Sequence, residues 1–287
     1  MPLHARPADS ADVPAVVQLW AESDTHWFGE PENDEAEVRE SFDRVEPLAE
    51  RSRVLQLDGQ LVAAAWWWQP EETTMIIAPG SDVPAILDEL LPWFEQSGAT
   101  KVESLDRDLE LLSALAEHGW RHYRSQFELM RDTSELPSPS WPEGITARAA
   151  DDDAEAIYRV IYDEARWADV PGHPLRPFDE WRSIFLNDDA DLGQQVVAEQ
   201  DGRIVGAALS RTFSDGVGWV SQLAVARDQQ GRGLGRALLL EALGRQVSSG
   251  ATRLGLGVSA ANSDALRLYR SIGLEIDREW MAHRPAR

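Results

Sequence analysis

Cysteine is absent from all 287 residues. That absence excludes disulfides, thiolate metal sites and cysteine nucleophiles together, and no metal site is expected. Lysine occurs once, at Lys101, so nearly all the positive charge is arginine. Positive charge is itself scarce: 27 Lys and Arg stand against 50 Asp and Glu, a net charge of −23. Such a surface repels nucleic-acid phosphates and anionic membrane, which excludes both as partners. It attracts a cationic acceptor such as an amine, although ordinary solubility accounts for the same number. Long hydrophobic runs are missing too. The longest, Leu61 to Trp68, is far too short to cross a bilayer. The opening "MPLHARPADSAD" has no apolar core of a secretion signal, so the cytoplasm is the expected compartment.

What is present is a repeated message. "ARPADSAD" at Ala5 matches "ARAADDDA" at Ala147, an offset of 142. "LDGQLVAAA" around Asp58 matches "QDGRIVGAA" around Asp201, an offset of 143. "SGATK" at Ser97 matches "SGATR" at Ser249, an offset of 152, and the Gly119 and Gly273 segments match at 154. Four matches in one order, with a slowly growing offset, indicate a tandem duplication. "TSELPSPSWPEG", rich in proline and serine, reads as the linker between the copies. The expected domains are 1–132 and 145–287, joined by 133–144.

Each copy reads as a strand, a helix, and then a hairpin turned at Asp-Gly. A third strand, a helix, a strand, a second helix and a closing strand follow. That order predicts an α+β fold, each domain a mixed, mostly antiparallel sheet flanked by helices. "DDDAEAIYRVIYDEA" reads as one amphipathic opening helix with an acidic start.

The offset rises from 143 to 152 where the second copy inserts "DQQGRGLGR". The first copy passes there from "MIIA" to "PGSDVPAILDELL" with no Gly-Arg loop. The inserted loop lacks the lysine of a P-loop, and from either Gly231 or Gly233 it fails the dinucleotide spacing G-x-G-x-x-G/A. Its physics is that of a helix N-terminus offered to phosphate. Unpaired N–H groups point outward, the helix dipole favours negative charge, and glycines admit close backbone approach. Arg232 and Arg236 add charge-assisted donors.

The second copy resembles the GCN5-related N-acetyltransferase (GNAT) superfamily over about 145–284, and the first does so weakly. "SQLAVARDQQGRGLGRALL" resembles that family's acetyl-CoA pyrophosphate motif, and "SAANSDALRLYRSIGLE" its later strand–helix motif. The resemblance implies a tandem-GNAT enzyme moving an acetyl group from acetyl-CoA to the amine of a small molecule, as a monomer or homodimer. It implies that backbone groups of Leu223, Ala224 and Val225 hold the pantetheine arm. It also implies that Gln230, Gly231, Arg232, Gly233, Leu234, Gly235 and Arg236 take the pyrophosphate. A backbone N–H near Val225 would polarise the thioester carbonyl, and Tyr269 would protonate the departing thiolate. Asn262 is read both as a coenzyme contact and as a helix N-cap; Tyr269 alone would read as an aromatic at the edge of the core.

The first copy carries Leu115 and Asp108 where the second has Tyr269 and Asn262, which reads as a degenerate copy that neither binds coenzyme nor catalyses. Many family members place a glutamate on the strand before the loop, where this chain has Ser221 and Gln222. Glu164, Asp169, His173, Asp179 and Glu180 are alternative bases, Trp167 and Trp181 flank them, and none is singled out. The missing carboxylate keeps open a second reading, a non-catalytic acyl-CoA-binding sensor.

Overall fold

The computed structural model describes residues 3–170, 173–187, 190–213 and 215–286. Contacts divide the chain into two compact units, one up to Ser125 together with the residues from Trp280, the other Gln126–Glu279. Both boundaries fall inside strands rather than in the proline-rich segment, so each unit holds a strand piece from the far half of the sequence.

The first unit runs β1 (His4–Arg6), α1 (Val13–Phe28), α2 (Glu35–Asp43), α3 (Leu48–Arg51), β2 (Ser52–Leu57), β3 (Gln60–Gln69), β4 (Glu72–Ile77), α4 (Val83–Ser97), β5 (Val102–Leu105), α5 (Leu109–Glu117) and the start of β6 (Trp120–Asp132). Strands β1-β2-β3-β4 form an antiparallel sheet in that order. The Asp58-Gly59 hairpin turn uses positive φ at both residues (53° and 81°), as the sequence demands. The "AAAWWW" of β3 is buried between two apolar clusters. Ala63, Ala65 and Trp67 face α4, while Ala64 and Trp66 face α1 and α2. Period-two alternation explains why every residue of so apolar a run is covered. β5 pairs antiparallel with the last residues of the chain, Trp280 opposite Leu105 and His283 opposite Val102.

The second unit contains β7 (Thr146–Ala149), α6 (Ala154–Arg159), α7 (Phe178–Phe185), β8 (Val196–Gln200), β9 (Arg203–Thr212), β10 (Val217–Val225), α8 (Leu234–Ser248), β11 (Arg253–Ser259), α9 (Ser263–Arg270) and the start of β12 (Glu275–Pro285). The opening helix is not uniform: α6 gives way to a π-helical stretch over Val160–Glu164. β7-β8-β9-β10 are antiparallel neighbours, and β10 pairs with β11 in parallel. The strand beside β11 is β6, antiparallel from Gln126 opposite Ser259 to Asp132 opposite Arg253. α8 and α9 cover one face, where Leu129, Leu234, Leu238, Leu254, Leu256 and Tyr269 share a core. α6 and α7 cover the other, with Ile157, Ile161, Trp181, Ala207 and Ala224. The 133–144 segment belongs to this unit, and its Leu136 and Trp141 pack against the α8 core.

The duplication persists in local chemistry. Arg6 grips the carboxylate of Asp12 with two hydrogen bonds, at 2.8 and 2.6 Å, while Asp9 N–H donates to the same group. In the second half Arg148 grips Asp153 at 2.6 and 3.0 Å, and Asp151 N–H donates to it. Both clamps tie the opening strand to the helix that follows.

Candidate active site

The Gly-Arg loop leads into α8, whose N-cap is Gly233 at φ 88° with no side-chain cap. The helix's first hydrogen bond of this kind runs from Ala237 N–H to the Gly233 carbonyl, at 3.1 Å. The N–H groups before it have no partner inside the helix. Gly231 lies at φ 75°, and a Cβ at Gly231 or at Gly233 would meet nothing within 4 Å. Glycine is therefore demanded here by conformation, while the space above the loop is open. Gly235 differs, since a Cβ there would make only ordinary contacts with Val225 and Leu268. The side chains divide. Arg232 turns back to Gln229, and the Gln230 amide donates to the Val225 carbonyl at 3.0 Å. Arg236 is half-buried, and among the described residues it makes no ion pair. Leu234 is buried in the α8 core and acts as an anchor for the loop.

β10 and β11 pair only from Val217 opposite Arg253 to Val220 opposite Leu256, whereas β11 continues beside β6 as far as Ser259. A bulge between Val220 and Gln222 marks the point where the two strands part. Ala226 N–H donates to the Val205 carbonyl. Alternation back along β10 then turns the backbone groups of Ala224 and Gln222 toward β9, and those of Leu223 and Val225 toward the gap. With the Val225 carbonyl held by Gln230, the groups left facing the gap are the Val225 N–H and both backbone groups of Leu223. Ala224 contributes its buried side chain to the opposite core.

Asn262 caps α9, its Oδ1 accepting from Ala265 N–H at 3.2 Å. Tyr269 is buried, and burial alone pushes its hydroxyl pKa up to about 12. A phenol so placed stays protonated at neutral pH and is available as a donor.

On the other face, the side chain at the strand position before the loop is Gln222, which is buried. Its Oε1 accepts from Trp181 Nε1 at 2.8 Å. Tyr158 donates to the Arg176 carbonyl at 2.6 Å, so α6 and the loop before α7 are fastened together. Trp181 is fully buried and serves as core, while Trp167 stacks on His173 at 4.6 Å between centroids. Glu164 pairs with Arg203, Asp169 with Arg166 and Arg227, and Glu180 with Arg176. Asp179 lies exposed in the first turn of α7. Of the candidate bases, three carboxylates are therefore engaged in ion pairs.

The same face carries residues outside those candidates. Trp219 lies over Gly255, where a Cβ would meet its ring at 2.8 Å and Met130 Sδ closer still. A Cβ on Gly257 would meet the Gln126 amide at 2.8 Å. Glu128 stands opposite Gly257, with Arg278 Nε 3.4 Å from its Oε2. The sequence reading missed Glu128 because it searched for a base only within the second copy. The signal available was the equivalence of the two closing strands, after Gly119 and after Gly273, which are interchangeable in a duplicated fold.

Among the described residues no helix is long and apolar enough to cross a membrane, and no cluster of three His, Asp or Glu is placed to hold a metal ion.

The model of the acetyltransferase (GNAT) family matches residues 155–274. The crystal structure of a GCN5-related N-acetyltransferase from Sphaerobacter thermophilus is similar at 25% identity and a TM-score of 0.83, over 99% of this chain and 97% of that one. A tandem GNAT protein from the clavulanic acid biosynthesis pathway shares the fold at 14% identity, with a TM-score of 0.74 over 98% and 97% of the two chains. The mycothiol acetyltransferase of Thermomonospora curvata is 30% identical over 169 residues, 58% of this chain and 57% of that relative. The match thus spans little more than half of that relative's length.

Proposed function

We propose that the C-terminal half, where the GNAT acetyltransferase family model matches residues 155–274, transfers an acetyl group from acetyl-CoA to the primary amine of a small molecule. The observation that carries this reading is the parting of β10 from β11 directly before an uncapped helix N-terminus whose glycines leave open space. Acetyl-CoA supplies an activated thioester to that site. The free N–H groups at the start of α8, with Arg236, hold its pyrophosphate. Leu223 and Val225 pair with the pantetheine arm as an added strand would, and the Val225 N–H donates to the thioester oxygen. The amine attacks directly, and the Tyr269 hydroxyl gives its proton to the departing sulfur.

The functional division we infer follows the two units rather than the expected bounds 1–132, 133–144 and 145–287: a degenerate GNAT-like unit up to Ser125 with the residues from Trp280, and a coenzyme-binding unit over Gln126–Glu279. The name of the Thermomonospora curvata relative makes a mycothiol-related compound the first acceptor to test. Incubation with acetyl-CoA and a panel of small primary amines, following free thiol, tests the reading. Acceptor-dependent thiol release supports it. Tight CoA binding without such release supports instead a non-catalytic acyl-CoA sensor.

A further inference from the structure

We propose that Glu128, on a strand encoded in the first half of the sequence, is the carboxylate that receives the acceptor's ammonium group and takes its proton. The inference rests on acetyl transfer at the gap between β10 and β11, as read above.

Side-chain alternation sets the face. Leu129 lies in the α8 core opposite Leu256, and Phe127, opposite Val258, packs against it. Gln126, Glu128 and Met130 therefore point to the other face. That face also carries Gln222 and Ala224 beyond the bulge, and Trp219 before it. Tyr269 belongs to the α8 core. Tyr269 and Glu128 thus belong to opposite faces of the sheet, so proton donation to sulfur and proton removal from nitrogen fall to different groups.

Position along the strand is equally specific. The last parallel pair is Val220 opposite Leu256, so Gly257 is the first β11 residue with no β10 partner. Glu128 stands directly across from Gly257 on the neighbouring strand, about 5 Å away between Cα atoms. Glycine at 257 leaves the floor low there, and Gln126 and Trp219 occupy its margins. The Glu128 side chain is 25% exposed, so its carboxylate reaches the open face, with Arg278 Nε, which donates to Asp277 at 3.0 Å, lying 3.4 Å from its Oε2. No carboxylate stands on β10 at this point, where the chain has Ser221 and Gln222.

The chemistry balances. Glu128 accepts one proton from the ammonium and passes it to solvent, leaving the nitrogen lone pair free. The C–N bond forms, the C–S bond breaks, and the electron pair leaves with sulfur. Sulfur is protonated from Tyr269, whose hydroxyl is restored through solvent by the second proton lost from nitrogen.

The test is Glu128→Gln, with Glu128→Asp as the conservative control, in the full chain. The probes are acetyl-CoA with tyramine, glucosamine and spermidine, and CoA itself. For amines that wild type acetylates, kcat/KM is expected to fall about 10²-fold in E128Q, with partial recovery in E128D and the acetyl-CoA Kd unchanged. The acceptor-independent readout is the CoA thiol, titrated by thiolate absorbance in the binary complex. Removing a neighbouring negative charge is expected to lower its pKa by about one unit in E128Q; a purely structural role leaves this titration unmoved. Where no amine of the panel is acetylated, the thiol titration alone decides. Wild-type kcat/KM or an unmoved thiol titration in E128Q overturns the inference while leaving acetyl transfer intact. Failure of wild type to bind CoA overturns both.

Discussion

The helices that follow the fourth strand of each copy, α4 and α8, begin in opposite ways. α4 starts after Asp82, whose carboxylate accepts from Ala85 N–H, and Pro84 in its first turn has no N–H to offer. α8 starts after Gly233 with no side-chain cap and with Arg236 in its first turn. One end is already satisfied by its own negative charge; the other leaves donors and charge for a ligand. The difference extends further along each copy. Leu115 is wholly buried where the second copy has Tyr269, and Asp108 caps α5 where Asn262 caps α9. The Asp108 carboxyl pKa is raised, chiefly by burial, and an anion there adds nothing to phosphate binding. The two copies share their packing, but only α8 begins with an uncapped end and an arginine, the difference on which the proposed anion site rests.

The comparison can be broken most strongly at Gly233. Gly233→Asp puts a side chain at φ 88° and a carboxylate at the helix N-terminus. Acetyl-CoA affinity by calorimetry is expected to fall about 100-fold or more, from backbone strain and like-charge repulsion together; unchanged affinity removes the loop from the site. Tyr269→Phe is expected to lower kcat roughly 10²-fold at constant acetyl-CoA affinity. With the hydroxyl pKa at about 12, the wild-type rate should show no alkaline fall from this group below about pH 11. A Tyr269→Phe enzyme turning over at the wild-type rate makes water the donor.

Asp82→Ala sharpens the comparison from the other side. Losing the cap is expected to cost about 1 kcal/mol of stability in denaturant unfolding. It should create no second coenzyme site, because Pro84 remains and no arginine is supplied; two-site calorimetry checks this. The smallest effect concerns what the copies share. The Arg6 and Arg148 guanidinium groups hold the Asp12 and Asp153 carboxyls below their ordinary range. A carboxylate with a lowered folded-state pKa contributes stability above its unfolded pKa, near 4, and loses it as pH falls through the folded value. Arg6→Gln and Arg148→Gln should therefore each destabilise at pH 7 by less than about 1 kcal/mol, these pairs being partly solvated. The difference from wild type should shrink as pH falls below about 4 and vanish once both carboxyls are protonated in the folded state.

Much of this was legible in the chain. The Asp-Gly hairpins, the Gly273 turn at φ 82° and the uncapped loop before α8 are local events, written in residues whose conformational range is unusual. The opening helix was legible only in part, since "AIYRVIYDEA" has helical periodicity but nothing in it specifies a π-helical turn. Trp181 and Trp167 read equally as pocket wall or core. Burial made Trp181 core, through a hydrogen bond to a residue 41 positions away. Glu128 gave no local sign at all.

The amino-acid sequence by itself determined the duplication, the α+β order of elements and which copy carries the anion loop. Each follows from short-range rules of periodicity, turn chemistry and helix ends. Tertiary structure alone decided which closing strand lies beside β11. The strands after Gly119 and Gly273 are equivalent by descent, and either satisfies the same ladder of backbone hydrogen bonds. Only the assembled sheet therefore shows that residues 126–132 take that place and bring a carboxylate from the first half of the chain to the site in the second.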